Sequence, residues 1–275
     1  MAEHRAWIEG IGIWAPTLPD WPAACMAWRG GALPPGPGAR LPAPGELPPA
    51  ERRRAPASVA LALEAARQAV TASGRPGHEL LSVFTSAHGD QPVIDQLCQT
   101  LAEQPLLVSP TRFIHSIHNA ASGAWSQVHA CHRGSTAISA GEHSFAHGLL
   151  EALVQCTSQR SPVLLVAFDT AAAGPLAQLV PARAPMAVAL VLAAEPLQTE
   201  ALALDWQVDA GRPAPPTPVH HPVSAALAEH GMAAALPLLE VLAGARPGPV
   251  GLPLDPRLTL SLRLQPSAST CHPGG

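Results

Sequence analysis

Positive charge is scarce in this sequence. Sixteen lysine and arginine side chains stand against 20 aspartates and glutamates, for a formal net charge of −4. Nucleic-acid affinity comes mainly from neutralising phosphates, so this balance argues against nucleic acid as a partner. Cysteine is sparse as well. Cys25, Cys98, Cys131, Cys156 and Cys271 lie far apart, without C-x-x-C spacing and without the density of a disulfide scaffold, which leaves no zinc or redox motif and fits a reducing, cytoplasmic setting. Long apolar runs are missing too. Met1 to Glu9 carries two acidic residues and no apolar stretch, and runs such as Met186 to Ala194 are too short to cross a bilayer, so neither a signal peptide nor a membrane span is expected.

What remains is the composition of a globular protein: 275 residues, 47% hydrophobic and 13% charged, enough for one large domain or two small ones. The 32 prolines cluster in Pro16 to Pro56 and Pro213 to Pro222, which read as ordered or semi-rigid loops. Trp7 to Trp14 alternates apolar with small residues and predicts a buried, central strand; Pro16 to Glu51 predicts loop. Helices are expected over Ala57 to Ser73 with a stop at Gly74, Gln91 to Glu103, Ala120 to Ala130, and Glu142 to Cys156 with Ala146, Leu149, Ala152 and Leu153 on one face. Leu80 to Thr85 is a further strand. Pro162 to Phe168 and Ala187 to Ala193 are unbroken apolar runs of strand length, as in a sheet covered on both faces by helices, so the class is layered α/β. Beyond Asp209 a proline-rich linker leads to a helix over Ala225 to Ala243, a last strand over Arg257 to Leu264 with polar residues on one face, and a loose tail from Thr270.

Four passages together resemble the β-ketoacyl synthases and their thiolase-type fold. They are I-E-G-I-G-I-W-A-P near the start, R-R-R-A-P-A-S-V-A-L-A-L-E-A-A-R-Q-A, the passage S-P-T-R-F-I-H-S-I-H-N-A-A-S-G from Ser109 to Gly123, and S-A-G-E-H-S-F-A-H-G-L-L-E-A followed by P-V-L-L-V-A-F-D. The last resembles the synthase nucleophile elbow and its helix. The family's cysteine is placed twenty-three residues after Asn119 and twenty-one before Val163, and both counts end on Glu142. A shift of one residue would put His143 there instead; neither is cysteine. The resemblance implies an α-β-α-β-α layering with a complete N-terminal half over residues 1–210, a linker over 211–224, and a shortened C-terminal half over 225–275. Of the two histidines that synthases use from that half, His230 in E-H-G-M-A-A-A-L resembles the second; His220 and His221 lie near where the first would fall. In place of a glycine-rich terminal loop the sequence reads L-T-L-S-L-R-L.

Condensation needs a thiolate at a helix N-terminus that can hold an acyl group as a thioester, and a carboxylate cannot do this. A negative charge at a helix N-terminus is nonetheless electrostatically comfortable. The resemblance therefore points to a chain-length-factor-like subunit, similar to those of aryl-polyene and related pigment clusters. Such subunits lack the cysteine and form a heterodimer with a full-length β-ketoacyl synthase, whose acyl pocket they shape; acyl carrier protein is met indirectly. By their place in the matched motifs, Phe113, His118, Asn119 and Phe145 are the candidates for bordering the partner's acyl tunnel. The alternative is a stand-alone malonyl-thioester decarboxylase or acyltransferase using Glu142, His143 or His230. No cofactor is implied. Glu142, His143 and His147, with His115 and His118, have spacings that could hold a metal, but thirteen histidines in one chain produce such pairs by chance, and no metal site is expected. Cys131 and Cys156 read as buried, inert thiols. Ser122 and Ser144 lack a G-x-S-x-G context.

Overall fold

The computed structural model describes residues 4–34, 40–211, 217–219 and 221–265. Among them, no helix is long and apolar enough to cross a membrane. Cys271, His220, the tail and part of the proline-rich linker lie outside this set.

In chain order the elements are β1 (His4–Trp14), α1 (Trp21–Gly30), α2 (Pro49–Arg52), α3 (Ala57–Ser73), β2 (Leu81–Thr85), α4 (Gln91–Glu103), α5 (Pro110–His115), α6 (Ala120–Val128), β3 (Ser135–Ile138), α7 (Ser144–Gln159), β4 (Val163–Asp169), β5 (Met186–Ala193), β6 (Leu202–Ala210), α8 (Pro222–Ala226), α9 (Leu236–Leu242), β7 (Val250–Asp255) and β8 (Leu258–Leu264). The strands form one eight-stranded sheet in the order β3-β2-β4-β5-β1-β6-β8-β7. β1 is central as expected, pairing with β5 along most of its length and with β6 near its start. The unbroken apolar runs become β4 and β5, buried at every position, which is the layered α/β class the sequence implied.

Two cores flank the sheet. On one face α3 and α6 bury Leu61, Leu63, Phe84 and Trp125; on the other α1, α7, α8 and α9 bury Trp28, Phe145, Leu149 and Leu153. Helix α7 packs on β2 and β4 and also reaches β7, where His147 Nε2 lies 2.8 Å from the Leu254 carbonyl. Because β7 is at the far end of the strand order, this contact requires the sheet to curl around α7. Along β8, Leu260 and Leu262 are buried while Ser261 and Arg263 take the opposite face, where Ser261 Oγ donates to Asp209 at 2.6 Å; Thr259, in the same alternation, is itself buried. That alternation is the one read from the sequence.

α3 rests directly on β1 because β1 has glycine where they meet. A Cβ added at Gly12 would stand 2.0 Å from the Ala65 carbonyl oxygen, and one at Gly10 equally close to Ala69. Gly12→Ala is therefore expected to destabilise by about 1–3 kcal/mol or more, the cost of overpacking a closed interface. Gly30→Ala, which meets nothing within 4 Å, is the control; urea midpoints measure both.

Three expectations are corrected. Pro16 to Glu51 is not all loop, since α1 forms within it: the Asp20 side chain accepts from Ala23 N at 2.8 Å, Pro22 sits in the first turn, and Gly31 closes the helix in the left-handed conformation. Proline and glycine that read as loop markers are here its two ends. The helix over Ala225 to Ala243 is broken into α8 and α9. Gly231 N donates to the Ala184 carbonyl rather than within a helix, Met232 is left-handed (φ 56°), and Pro237 can only occupy a first turn. Third, β3, β6 and β7 are strands the sequence reading did not identify.

Candidate functional site

The elbow after β3 is pinned from below. Ser144 Oγ accepts from Ala140 N (2.9 Å) and donates to the Gly141 carbonyl (2.7 Å), while Thr85 Oγ1 at the end of β2 donates to the Ser144 carbonyl (2.8 Å). Gly141 takes the left-handed conformation that the sharp turn needs. Glu142 follows it in a single 3₁₀ turn, Gly141–His143, so it precedes α7 instead of beginning it as the sequence reading had it. Its side chain is 88% exposed, with Oε1 3.7 Å from His143 Nε2. The carboxylate thus stands open to water at the mouth of the turn.

The two cysteines singled out in the sequence, Cys156 and Cys131, do not stand at the elbow. Cys156 lies deep on α7, and burial, with Glu9 adding, pushes its pKa up to about 12. Cys131 is buried, its Sγ 3.5 Å from the Leu80 carbonyl. Both behave as core residues. The two serines are occupied: Ser122 Oγ donates to the Asn119 carbonyl at 3.0 Å, and Ser144 holds the elbow.

Beside the elbow is a cavity of about 580 Å³ whose lining includes His88, Glu142, Phe145, Asp169, His230 and Met232. Asp169 ends β4 and is buried. Its carboxylate accepts from Ser86 Oγ (2.6 Å), His88 N (3.2 Å) and Ala87 N (3.3 Å). Burial pushes its pKa up, and those donors pull it back. His230 is held by its backbone: Ala184 and His230 form a bridge, Gly231 N donates to Ala184 O (2.8 Å), and Arg183 N donates to Glu229 O (2.6 Å).

Burial lowers the pKa of His230, opposed by the nearby Leu227 carbonyl, so the imidazole is neutral at pH 7. Because the folded pKa lies below the unfolded value of about 6.5, the unfolded chain binds the proton more readily. His230 therefore contributes stability that is complete above that pH and declines as pH falls toward the folded pKa. His230→Gln is expected to flatten this part of the stability profile, read as urea midpoints between pH 7.5 and 5.5.

The fold thus brings Glu142, Phe145 and His230 to one cavity and leaves the other candidates elsewhere. His143 turns toward Glu142. Phe113, on α5, is 60% exposed. His118 packs against Gly89, where an added Cβ would lie 3.3 Å from its Nδ1. Asn119, just before α6, borders a separate depression of about 440 Å³ with Ile114 and Ile117. His147 is tied to β7, and among the described residues no three metal-binding side chains converge. Asp169 and His88 escaped the sequence reading. The one signal was an aspartate closing an apolar strand, F-D, where synthases carry a glutamate nearby.

The family model described as the β-ketoacyl synthase N-terminal domain matches residues 25–240. No curated protein sequence matches significantly. Among solved structures, a ketosynthase (ApeO) in complex with its chain length factor (ApeC) from Xenorhabdus doucetiae is similar at 23% identity and TM-score 0.69, covering 93% of this chain and 98% of that one. The two matched chains are thus nearly equal in length. The ishigamide ketosynthase/chain length factor is similar at 15% identity and TM-score 0.54, covering 83% and 70%. A type II polyketide acyl-carrier protein in complex with its ketosynthase, AntDE:AntF, is similar at 14% identity and TM-score 0.62, covering 76% and 70%. At such identities the likeness establishes the fold.

Proposed function

Since the chain belongs to the β-ketoacyl synthase N-terminal domain family, we propose that it is a non-catalytic, chain-length-factor-like subunit. It pairs with a complete β-ketoacyl synthase and shapes the pocket that receives the growing acyl chain in fatty-acid- or polyketide-type synthesis, of which aryl-polyene synthesis is the finer reading. The observation that carries this is Glu142, an exposed carboxylate on the elbow where counting along the sequence would put the family's nucleophile, with His143 the neighbour if the count shifts by one. In this reading carrier protein meets the assembled pair.

The sheet edges support a partner at β3. Ser82 N donates to Gly134 O and Ser86 N to Ile138 O, which fixes the parallel ladder so that the N–H and C=O groups of Ser135 and Ala137 point away from β2. No described strand pairs with them. The opposite edge is guarded: Thr217 Oγ1 accepts from Gly251 N (2.7 Å) on β7, and Pro253 sits beside a register shift. Exposed apolar side chains lie along the segment that follows α4, with Leu106 at 97%, Leu107 at 67% and Phe113 at 60%. In this reading Phe113, His118 and Asn119 border the partner's tunnel, whereas Phe145, the fourth candidate, is buried in this chain's own core.

The test is co-expression with complete synthases from the same host. A one-to-one complex is expected, with all malonyl carrier protein turnover lost when the partner's nucleophile is replaced and none changed by Glu142→Ala. Turnover by the isolated chain that Glu142→Ala abolishes would establish the decarboxylase or acyltransferase alternative instead. A chain that ignores every synthase of its host would end the pairing idea.

A further inference from the structure

Residues 86–90, the loop between β2 and α4, touch each part of the surface proposed to meet a synthase. Ser86 N donates to the Ile138 carbonyl at the end of β3 (3.2 Å), and Ser139 Oγ, where the chain enters the elbow, donates to the Ala87 carbonyl (3.2 Å). Gly89, buried and left-handed, is the backbone that His118 packs against. Asp90 then caps α4, accepting from Val93 N at 3.0 Å, and the exposed Leu106 and Leu107 follow that helix.

The end of β4 holds this loop in place. Asp169 takes three donors from it, Ser86 Oγ, Ala87 N and His88 N, and Ser86 Oγ, so oriented, accepts from Gly89 N at 2.8 Å. On the other side Gly231 presses on the same residue, so that a Cβ added there would stand 2.8 Å from the Asp169 Cβ. The next residue, Thr170, accepts from Gln91 N through its hydroxyl at 3.3 Å. Burial holds the Asp169 carboxyl above its ordinary pKa, although Ser86, His88 and Ala87 pull it down. The ionised group is therefore a net cost to the fold at neutral pH. Buried ionisable groups held at such a cost gather at functional sites.

We propose that Asp169 is a positioning residue, whose carboxylate sets residues 86–90 and, through them, the relative placement of His118, the end of β3 and the elbow on the face that meets a synthase. Being buried, it acts on a partner only through these groups. Both of its oxygens accept, and it has no N–H to turn against Ala87 N, as an amide in its place would have. The partner in this proposal rests on the pairing reading; the ordering of the loop does not.

Asp169→Asn and Ser86→Ala, each in the full chain, test this at pH 7.5 by amide hydrogen exchange and urea midpoints of the isolated chain, and by titration calorimetry against a pairing synthase. Asp169→Asn is expected to quicken exchange across residues 86–90 and 116–119 by about tenfold or more and to weaken pairing by about tenfold, with a urea midpoint no lower than the parent's. Ser86→Ala, which keeps the charge and cuts the link to Gly89, is expected to quicken exchange over the same two stretches. Unchanged exchange there in a folded Asp169→Asn chain, faster exchange spread over the whole chain with a fallen midpoint, or pairing at the parent's affinity would each overturn the proposal. A parent chain that pairs with no synthase would end the pairing reading alone, and exchange in the isolated chains would then decide the positioning role by itself.

Discussion

Ala137→Pro is expected to cost the complex with a synthase at least about a hundredfold in affinity, or roughly 2.7 kcal/mol, while leaving the isolated fold intact. The outward N–H of Ala137 takes no part in the ladder to β2, so removing it costs the chain nothing internally. Across a paired edge the loss is different. The partner's acceptor is left buried and unsatisfied, at about 1–3 kcal/mol, and the proline ring stands where a strand must approach. Thr136→Pro is the contrasting variant. Its N–H faces β2, so it is expected to lower the stability of the chain itself. Titration calorimetry and thermal unfolding of both variants separate the two effects. An Ala137→Pro chain that still binds at full affinity would show that β3 is not the interface.

Arg75→Ala is expected to destabilise the chain by about 3–5 kcal/mol, the cost of stranding a buried charge. Glu9 is fully buried on β1 and accepts from both Arg75 Nε and Nη2, and from Leu197 N at 2.5 Å. Pairing with Glu9 holds the Arg75 guanidinium above its ordinary pKa, against the opposing effect of burial. Without it, the Glu9 carboxylate loses its cation and keeps the Leu197 N–H inside the fold. A urea midpoint at pH 7 no lower than the parent chain's would contradict this. Replacing Glu9 and Arg75 together by leucines is expected to restore much of the loss.

Spacing and apolar pattern disclosed a good share of this architecture. α3 matches the expected Ala57 to Ser73 with its Gly74 stop, and α4 matches Gln91 to Glu103, because both are long, strongly periodic and bounded by clear signals. α1 was hidden because its Asp20 and Gly31 ends lie in a segment dense with the same residue types acting as loop. The α8–α9 break was hidden because what interrupts the helix is a hydrogen bond to Ala184, remote in sequence. The same division holds at the site. Two counts along the chain reach Glu142, yet its exposure depends on where the 3₁₀ turn ends. That Asp169, Glu142 and His230 border one space follows from the bridge of His230 to Ala184 and the close approach of Gly231 to Asp169, which no local pattern encodes.

The unlike edges of that sheet also fix how far assembly can go. Among the described residues no strand pairs with the outward groups of Ser135 and Ala137, and β7 is closed by Thr217 and Pro253, so the described sheet has a valence of one for strand addition. A first subunit that joins at β3 uses up that valence, and another copy finds only the blocked β7 edge. Growth stops at a pair. A filament, the usual hazard of an open sheet edge, would need the second edge that this chain has closed.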